Sequence, residues 1–247
     1  MALYVLTLSR RTLERMANGR HLGNFLQTAR AYAQEAYDGK RLKFVPGPYM
    51  THAEAVAARV RTTPAKALAL LHDVIEIKVK DALRAGKDLP PVRNSQRREE
   101  SLSARELEKV ETFVAGRGFN FAPLTPHLDA LTHRKIVPYD DYIKSLANHA
   151  RATGSTLVIE VKIGDLEENK DPGRNPRGTM LTAQDRERLA KYERALAFFR
   201  QEFPDVVTLA RKGQAATVAD VKRRKNSAPR PPRRRLGKQQ RLNLALD

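Results

Sequence analysis

Residues 67–75 read ALALLHDVI, an apolar run with a histidine and an aspartate near its end. A run this apolar is buried in a compact fold, and it takes His72 and Asp73 into the interior with it. An ionised group buried without a partner is costly, so the chain has to supply one. TLVIEVKI at 156–163 is a second such run, and Asp165 follows it after one glycine. His52 opens a third, in HAEAVAARV. Two imidazoles and two carboxylates suit one divalent cation (Mn²⁺, Fe²⁺, Zn²⁺ or Mg²⁺) with positions left for water and a phosphate. The chain has no cysteine, so any metal must be held by His, Asp, Glu or water.

The surrounding pattern is helical. Residues 11–37 place Leu13, Met16, Leu22, Phe25, Leu26, Ala29, Tyr32 and Ala33 mostly at three- and four-residue spacings. KRLKFVPGPYMTH at 40–52 is a Pro- and Gly-rich loop, and a helix starts near Thr51 with Val56 and Val60 on one face. Pro64 suits the first turn of the next helix, which carries His72 and Asp73 in its buried part. Residues 86–102 are polar and read as a loop. SARELEKVETFV then reads as a helix opened by a capping box of Ser103 and Glu106. HLDALTHR, YDDYIKSLANHA and TAQDRERLAKYERALAFFRQEF complete the helical set, the last with Leu189, Tyr192, Leu196 and Phe199 on one stripe. TLVIEVKI is β-branched enough for a strand, but its helical neighbours favour a buried helix. In that helix Lys162, Asp165 and Asn169 share a face. The expectation is an all-α bundle of about eight helices, over residues 1–205, followed by a basic tail at 206–247.

The net charge is +18, and it is concentrated. Residues 222–247 hold ten Lys and Arg against Asp247, a net +9 in about a tenth of the chain. Such a segment, rich in Pro and Arg and poor in large apolar residues, cannot bury enough surface to fold alone. Its natural partners are polyanions, and without aromatic residues it would hold nucleic acid non-specifically, through phosphates. A solubilising extension is the competing reading. The first apolar run is about seven residues and charges follow it, unlike a signal peptide or a membrane span of roughly 20 residues. A soluble, cytoplasmic protein with no membrane partner is expected.

Five segments, in order, resemble one family. PYMTHAEAVAARV resembles PYxxHPxxVAxxL, and ALALLHDVIE resembles AALLHDVVED. ALTHRKIVPYDDYIKSLA resembles ALTRxxxxxYxxYIxRL, and VIEVKIGDLEENKDP resembles AxxVKLADRLxNxxD. TAQDRERLAKYERAL is similar to the helix that closes such domains. These motifs belong to the HD-domain metal-dependent phosphohydrolases, and more narrowly to the (p)ppGpp hydrolase domain of the RelA/SpoT proteins and their small stand-alone homologues. The match spans about residues 20–200.

The resemblance implies an HD-type helical bundle with a divalent metal, most often Mn²⁺, held by His52, His72, Asp73 and Asp165. It implies removal of the 3′-pyrophosphate from guanosine tetra- or pentaphosphate, with Glu76 as base or water-orienting group beside Asp73. Asn169 falls near the substrate phosphates. Arg41 and Lys43 fall on a basic stretch lining the nucleotide pocket. Tyr139 and Tyr142 fall on a pocket helix, and core packing and substrate stacking both stay open for them. Two departures matter. Ile77 stands where the family has a second acid, and the loop before ALTHR, residues 86–123, is longer. Two competing readings are therefore kept: hydrolysis of another nucleotide phosphate, and a catalytically weakened module that binds nucleotide or nucleic acid. His21, His127, His133 and His149 fall outside the metal positions and read as surface or helix-end residues.

Overall fold

The computed structural model describes residues 19–43, 45–86, 94–171 and 181–207, with side chains from residue 23 onward. The chain divides into two units, Met1–Gln214 and Ala215–Asp247, and every described residue lies in the first. Residues 11–18 of the expected first helix and the basic stretch 222–247 lie outside the described residues.

The fold is all-α. Nine helices are present among the described residues: α1 (Gly19–Ala36), α2 (Met50–Arg59), α3 (Thr63–Leu71), α4 (Val74–Ala85), α5 (Ser95–Ala115), α6 (Thr125–Leu131), α7 (Tyr139–Thr153), α8 (Leu157–Asn169) and α9 (Ala183–Glu202). No described helix is long and apolar enough to cross a membrane.

The bundle is organised around α8, which packs against α2, α3, α6, α7 and α9. Leu157, Val158, Ile159, Val161, Ile163 and Leu166 are all buried, and they point to every side of the helix axis. A helix covered all round shows no polar face. That is why TLVIEVKI looks as much like a strand as a helix in sequence. Gly154, in the left-handed region at φ 62°, closes α7 and turns the chain toward α8, its amide bonding back to Ala150 and Arg151. At Gly164, α8 comes close to α2. A Cβ there would lie 3.4 Å from Val56 Cγ1 and from Arg59 Cβ.

The second organising feature is a break. The expected continuous helix through His72 and Asp73 is instead two helices, α3 ending at Leu71 and α4 starting at Val74. Thr62 caps α3, its side chain accepting from Ala65 N, and Pro64 occupies the first turn as expected. Asp73 sits at φ −102°, ψ −4°, and its carbonyl accepts the Ile77 amide at 2.9 Å to start α4. Breaking a helix frees carbonyls that need donors. Here the Tyr37 hydroxyl donates to Leu70 O at 3.1 Å, and His72 Nδ1 lies 2.7 Å from Ala69 O. The dipeptide therefore sits at a helix junction, which turns both side chains to one side.

Two further expectations are corrected. Residues 95–102 are helical, because α5 begins at Ser95, where Asn94 caps it by accepting from Gln96 N and Arg97 N. Ser103 is then interior to α5, its hydroxyl donating to Glu99 O at 2.9 Å, and Glu106 pairs with Lys109. The polarity of QRREES is that of a solvent-facing helix. A capping box does occur, at Thr182 and Asp185, where α9 begins. The histidines are the other correction. His127 is buried, and its Nδ1 lies 2.8 Å from His149 Nε2, joining α6 to α7. His133 is half-buried, stacks on Tyr142 with ring centroids 4.6 Å apart, and bonds Val137 O through Nε2.

Two predictions follow from this packing. Gly164→Ala should keep stability within about 1 kcal/mol, since helix propensity offsets a tight contact. Gly164→Val should cost on the order of 1–3 kcal/mol by driving α2 away from α8; denaturant unfolding of the two variants checks this. The second concerns pH. Burial, and then His149, hold His127 down at about 4, below the ordinary 6.5. The folded state keeps it neutral while the unfolded chain takes up a proton, so this stability is complete above 6.5 and is lost as pH falls toward 4. His127→Asn should flatten the decline of melting temperature across that window relative to the parent protein.

Candidate metal centre

Three pieces of backbone bring four side chains together. His52 is in the first turn of α2, His72 and Asp73 are at the α3–α4 junction, and Asp165 is on α8. His52, His72 and Asp73 offer ligand atoms that all lie within 4.8 Å of one another. Asp165 Oδ1 lies 3.2 Å from His52 Nε2 and 3.6 Å from His72 Nε2. Asp73 Oδ2 lies 3.2 Å from His72 Nε2 and 3.8 Å from His52 Nε2. The His52, His72 and Asp165 side chains are 2%, 3% and 8% exposed and Asp73 is 23% exposed, so the cluster opens to solvent on the Asp73 side.

Three of the four are held from behind. A carbonyl can only accept, so the Ala69 oxygen fixes the proton of His72 on Nδ1 and leaves Nε2 to face the cluster. That Nε2 is buried and meets no hydrogen-bond geometry with any partner among the described residues. The Tyr49 hydroxyl donates to Asp73 Oδ2. Asn169 Nδ2 donates to Asp165 Oδ1 at 2.6 Å, and Lys162 Nζ lies 2.8 Å from Asp165 Oδ2. These bonds fix both carboxylates in one orientation, as metal ligands need.

The electrostatics tell the same story. Burial alone would raise the pKa values of Asp73 and Asp165. It is overcome at Asp73 chiefly by the His72 imidazole, and at Asp165 by Lys162 and then by both imidazoles, so both carboxyls are held below the usual range. Burial would likewise lower His72, yet the Asp73 and Asp165 carboxylates hold it well above its ordinary value. Positive charge placed among these groups is stabilised. A divalent cation fits that field, and the donor set of imidazole nitrogen and carboxylate oxygen is one that it takes.

The other expected residues fall as follows. Glu76 lies one turn into α4 and pairs with Lys80 at 2.6 Å. Its side chain is 25% exposed. Asn169 contacts Asp165 directly. Tyr142 is buried, with its hydroxyl donating to Leu131 O at 2.6 Å, which makes it a core residue. Arg41 is exposed beside a short bridge between Arg41 and Pro48, and lines a groove of about 500 Å³ with Tyr37, Lys40, Thr51 and Glu54. Lys43 is exposed, and its charge reaches Asp185 at the start of α9. Ile77 is half-buried and packs against the core. Tyr49 was overlooked in the sequence. Its signal was its place three residues before His52, one turn along the same face.

The chain matches no protein-family model and no curated protein.

Two measurements check the centre. Mn²⁺ at a hundredfold above its dissociation constant should stabilise the fold by about 2.7 kcal/mol, read as a rise in melting temperature. Asn169→Ala, which frees Asp165 to rotate, should weaken Mn²⁺ binding about 10- to 100-fold with little loss of stability. Unchanged affinity in calorimetry would show that Asp165 is not held for a metal.

Proposed function

We propose that this protein is a metal-dependent phosphohydrolase of the HD type acting on a nucleotide phosphate, with guanosine-3′,5′-bis(diphosphate) as the first substrate to consider. The observation that carries the reading is the convergence of His52, His72, Asp73 and Asp165, with His72 Nε2 buried and turned toward both carboxylates. The nucleotide, and the 3′-pyrophosphate in particular, rest on the motif resemblance.

His52, His72, Asp73 and Asp165 would hold the ion. When bound, a divalent metal supplies a Lewis acid that polarises a phosphate oxygen and makes water more acidic. The chain's own residues do the rest. Tyr49 and Asn169 lock the carboxylates of Asp73 and Asp165. Lys162 balances the charge of Asp165, so that the cluster as a whole does not repel a phosphate. Asp73, the most open member, faces the substrate side. Glu76, one turn along α4, takes a proton from the attacking water. The water oxygen bonds to phosphorus, the bond to the nucleoside 3′-oxygen breaks, that oxygen takes up the proton to become the 3′-hydroxyl, and pyrophosphate carrying the water oxygen is released.

Ile77 favours a second reading within the same chemistry. In the motif that the chain resembles, a second acid helps position water, and here an aliphatic side chain packs against the core. A different nucleotide phosphate, needing one acid fewer, would suit this pocket.

Hydrolysis across a nucleotide panel with added Mn²⁺ separates the readings. Activity should vanish with chelator and fall at least about a hundredfold in Asp73→Asn, which removes a ligand charge. Full activity in Asp73→Asn would place catalysis elsewhere. Ile77→Asp should raise ppGpp turnover if Ile77 weakens that activity. No gain, with another nucleotide turned over well by the parent, would favour the second reading.

A further inference from the structure

Beside Asp165 the bundle gathers positive charge and tyrosine. Lys162, whose side chain is only 13% exposed, has its Nζ 2.8 Å from Asp165 Oδ2. The same Nζ lies 5.3 Å from the Tyr142 ring centroid and 5.9 Å from that of Tyr139. Lys191, on α9, has its Nζ 4.2 Å from the Tyr139 centroid and 5.6 Å from that of Tyr192. Two ammonium groups thus lie within 6 Å of the Tyr139 ring centroid.

This arrangement is incomplete by itself. Lys162 has a carboxylate, but Lys191 makes no ion pair among the described residues. Burial, and then repulsion from Lys162, push the Lys191 pKa down against the pull of the Asp140 and Glu187 carboxylates. The Tyr139 hydroxyl is buried and has no hydrogen-bond partner among the described residues. A buried hydroxyl left unbonded costs roughly 1–3 kcal/mol. Ring faces alone satisfy a lysine less well than an anion does. Two cations and an unbonded hydroxyl on one side of a carboxylate–imidazole cluster are what an anionic group would complete.

We propose that Lys191 and Tyr139 form a phosphate subsite beside the metal cluster. The ammonium of Lys191 and the hydroxyl of Tyr139 donate to the oxygens of one phosphate, while Lys162 stays paired with Asp165 and screens that carboxylate from it. The subsite deepens the phosphohydrolase reading and rests on it for the identity of the phosphate as part of a substrate. The ligand class is a phosphate or pyrophosphate ester. A tyrosine ring beneath the lysine fixes the ammonium without neutralising it, which leaves its charge for the ligand.

Lys191 is half-buried on a helix, and the melting temperature of each variant checks that the fold is kept. The probe is inorganic pyrophosphate, titrated calorimetrically into the full chain with chelator present, so that no metal contributes. The parent protein should bind it. Lys191→Ala should weaken binding about tenfold, the loss of one charge-assisted contact, and Lys191→Arg should restore most of it. Tyr139→Phe should weaken binding several-fold while leaving the melting temperature unchanged or higher, because the ring stays and the unbonded hydroxyl goes. Mn²⁺ affinity should be the same in all four proteins. If the parent fails to bind pyrophosphate, or if Lys191→Ala binds as tightly as the parent and only melts earlier, the lysine is a packing residue and the subsite does not exist. If pyrophosphate binding follows the variants but no nucleotide is hydrolysed, the subsite stands and the phosphohydrolase reading falls.

Discussion

Everything in this fold turns on Asp165, a carboxylate placed on the most enclosed helix of the bundle. Left alone it would be untenable there. Lys162 and Asn169, one turn away on each side along α8, give it a cation and an amide donor, and His52 and His72 bring imidazoles from α2 and the α3–α4 junction. The demand on the sequence is severe. Helix α8 must be apolar on every face to lie at the centre, yet carry Lys162, Asp165 and Asn169 on one line. Gly164, next to that line, lets α2 come close enough to deliver His52.

The α3–α4 break follows from the same demand. A straight helix through residues 63–85 would spread His72 and Asp73 around its axis by about 100°. Interrupting it after Leu71 lets both side chains face the cluster, at the cost of two freed carbonyls. Tyr37 and the His72 ring take those carbonyls up, and the His72 bond also sets which ring nitrogen faces inward. One hydrogen bond thus repairs the backbone and prepares a ligand. A site built this way is rigid before anything binds, which raises the affinity expected of it.

Much of this could be read in the sequence, and the exceptions have physical causes. The apolar runs at 67–75 and 156–163 announced burial, and the polar residues within them announced a cluster, because buried charge needs company. The Lys162, Asp165 and Asn169 spacing needed only the helical period. The break at His72–Asp73 was hidden, since nothing in ALALLHDVI is a Gly or Pro, and the break is supported by Tyr37, some thirty residues earlier. The start of α5 was hidden for the opposite reason. A solvent-facing polar helix carries no apolar period in its first turns, and only Asn94 marked its cap. Tyr142 was placed on the right helix with its role open; its hydroxyl is taken by Leu131 O, while Tyr139, one turn earlier, keeps its own hydroxyl unbonded.

The central claim is that these four side chains form one divalent-metal centre. Anomalous X-ray scattering from crystals grown with Mn²⁺ tests it most directly. The account predicts a single strong peak roughly 2.0–2.3 Å from His52 Nε2, His72 Nε2 and oxygens of Asp73 and Asp165. No peak at the cluster at saturating Mn²⁺, or a peak that leaves Asp165 bonded only to Lys162 and Asn169, would contradict it.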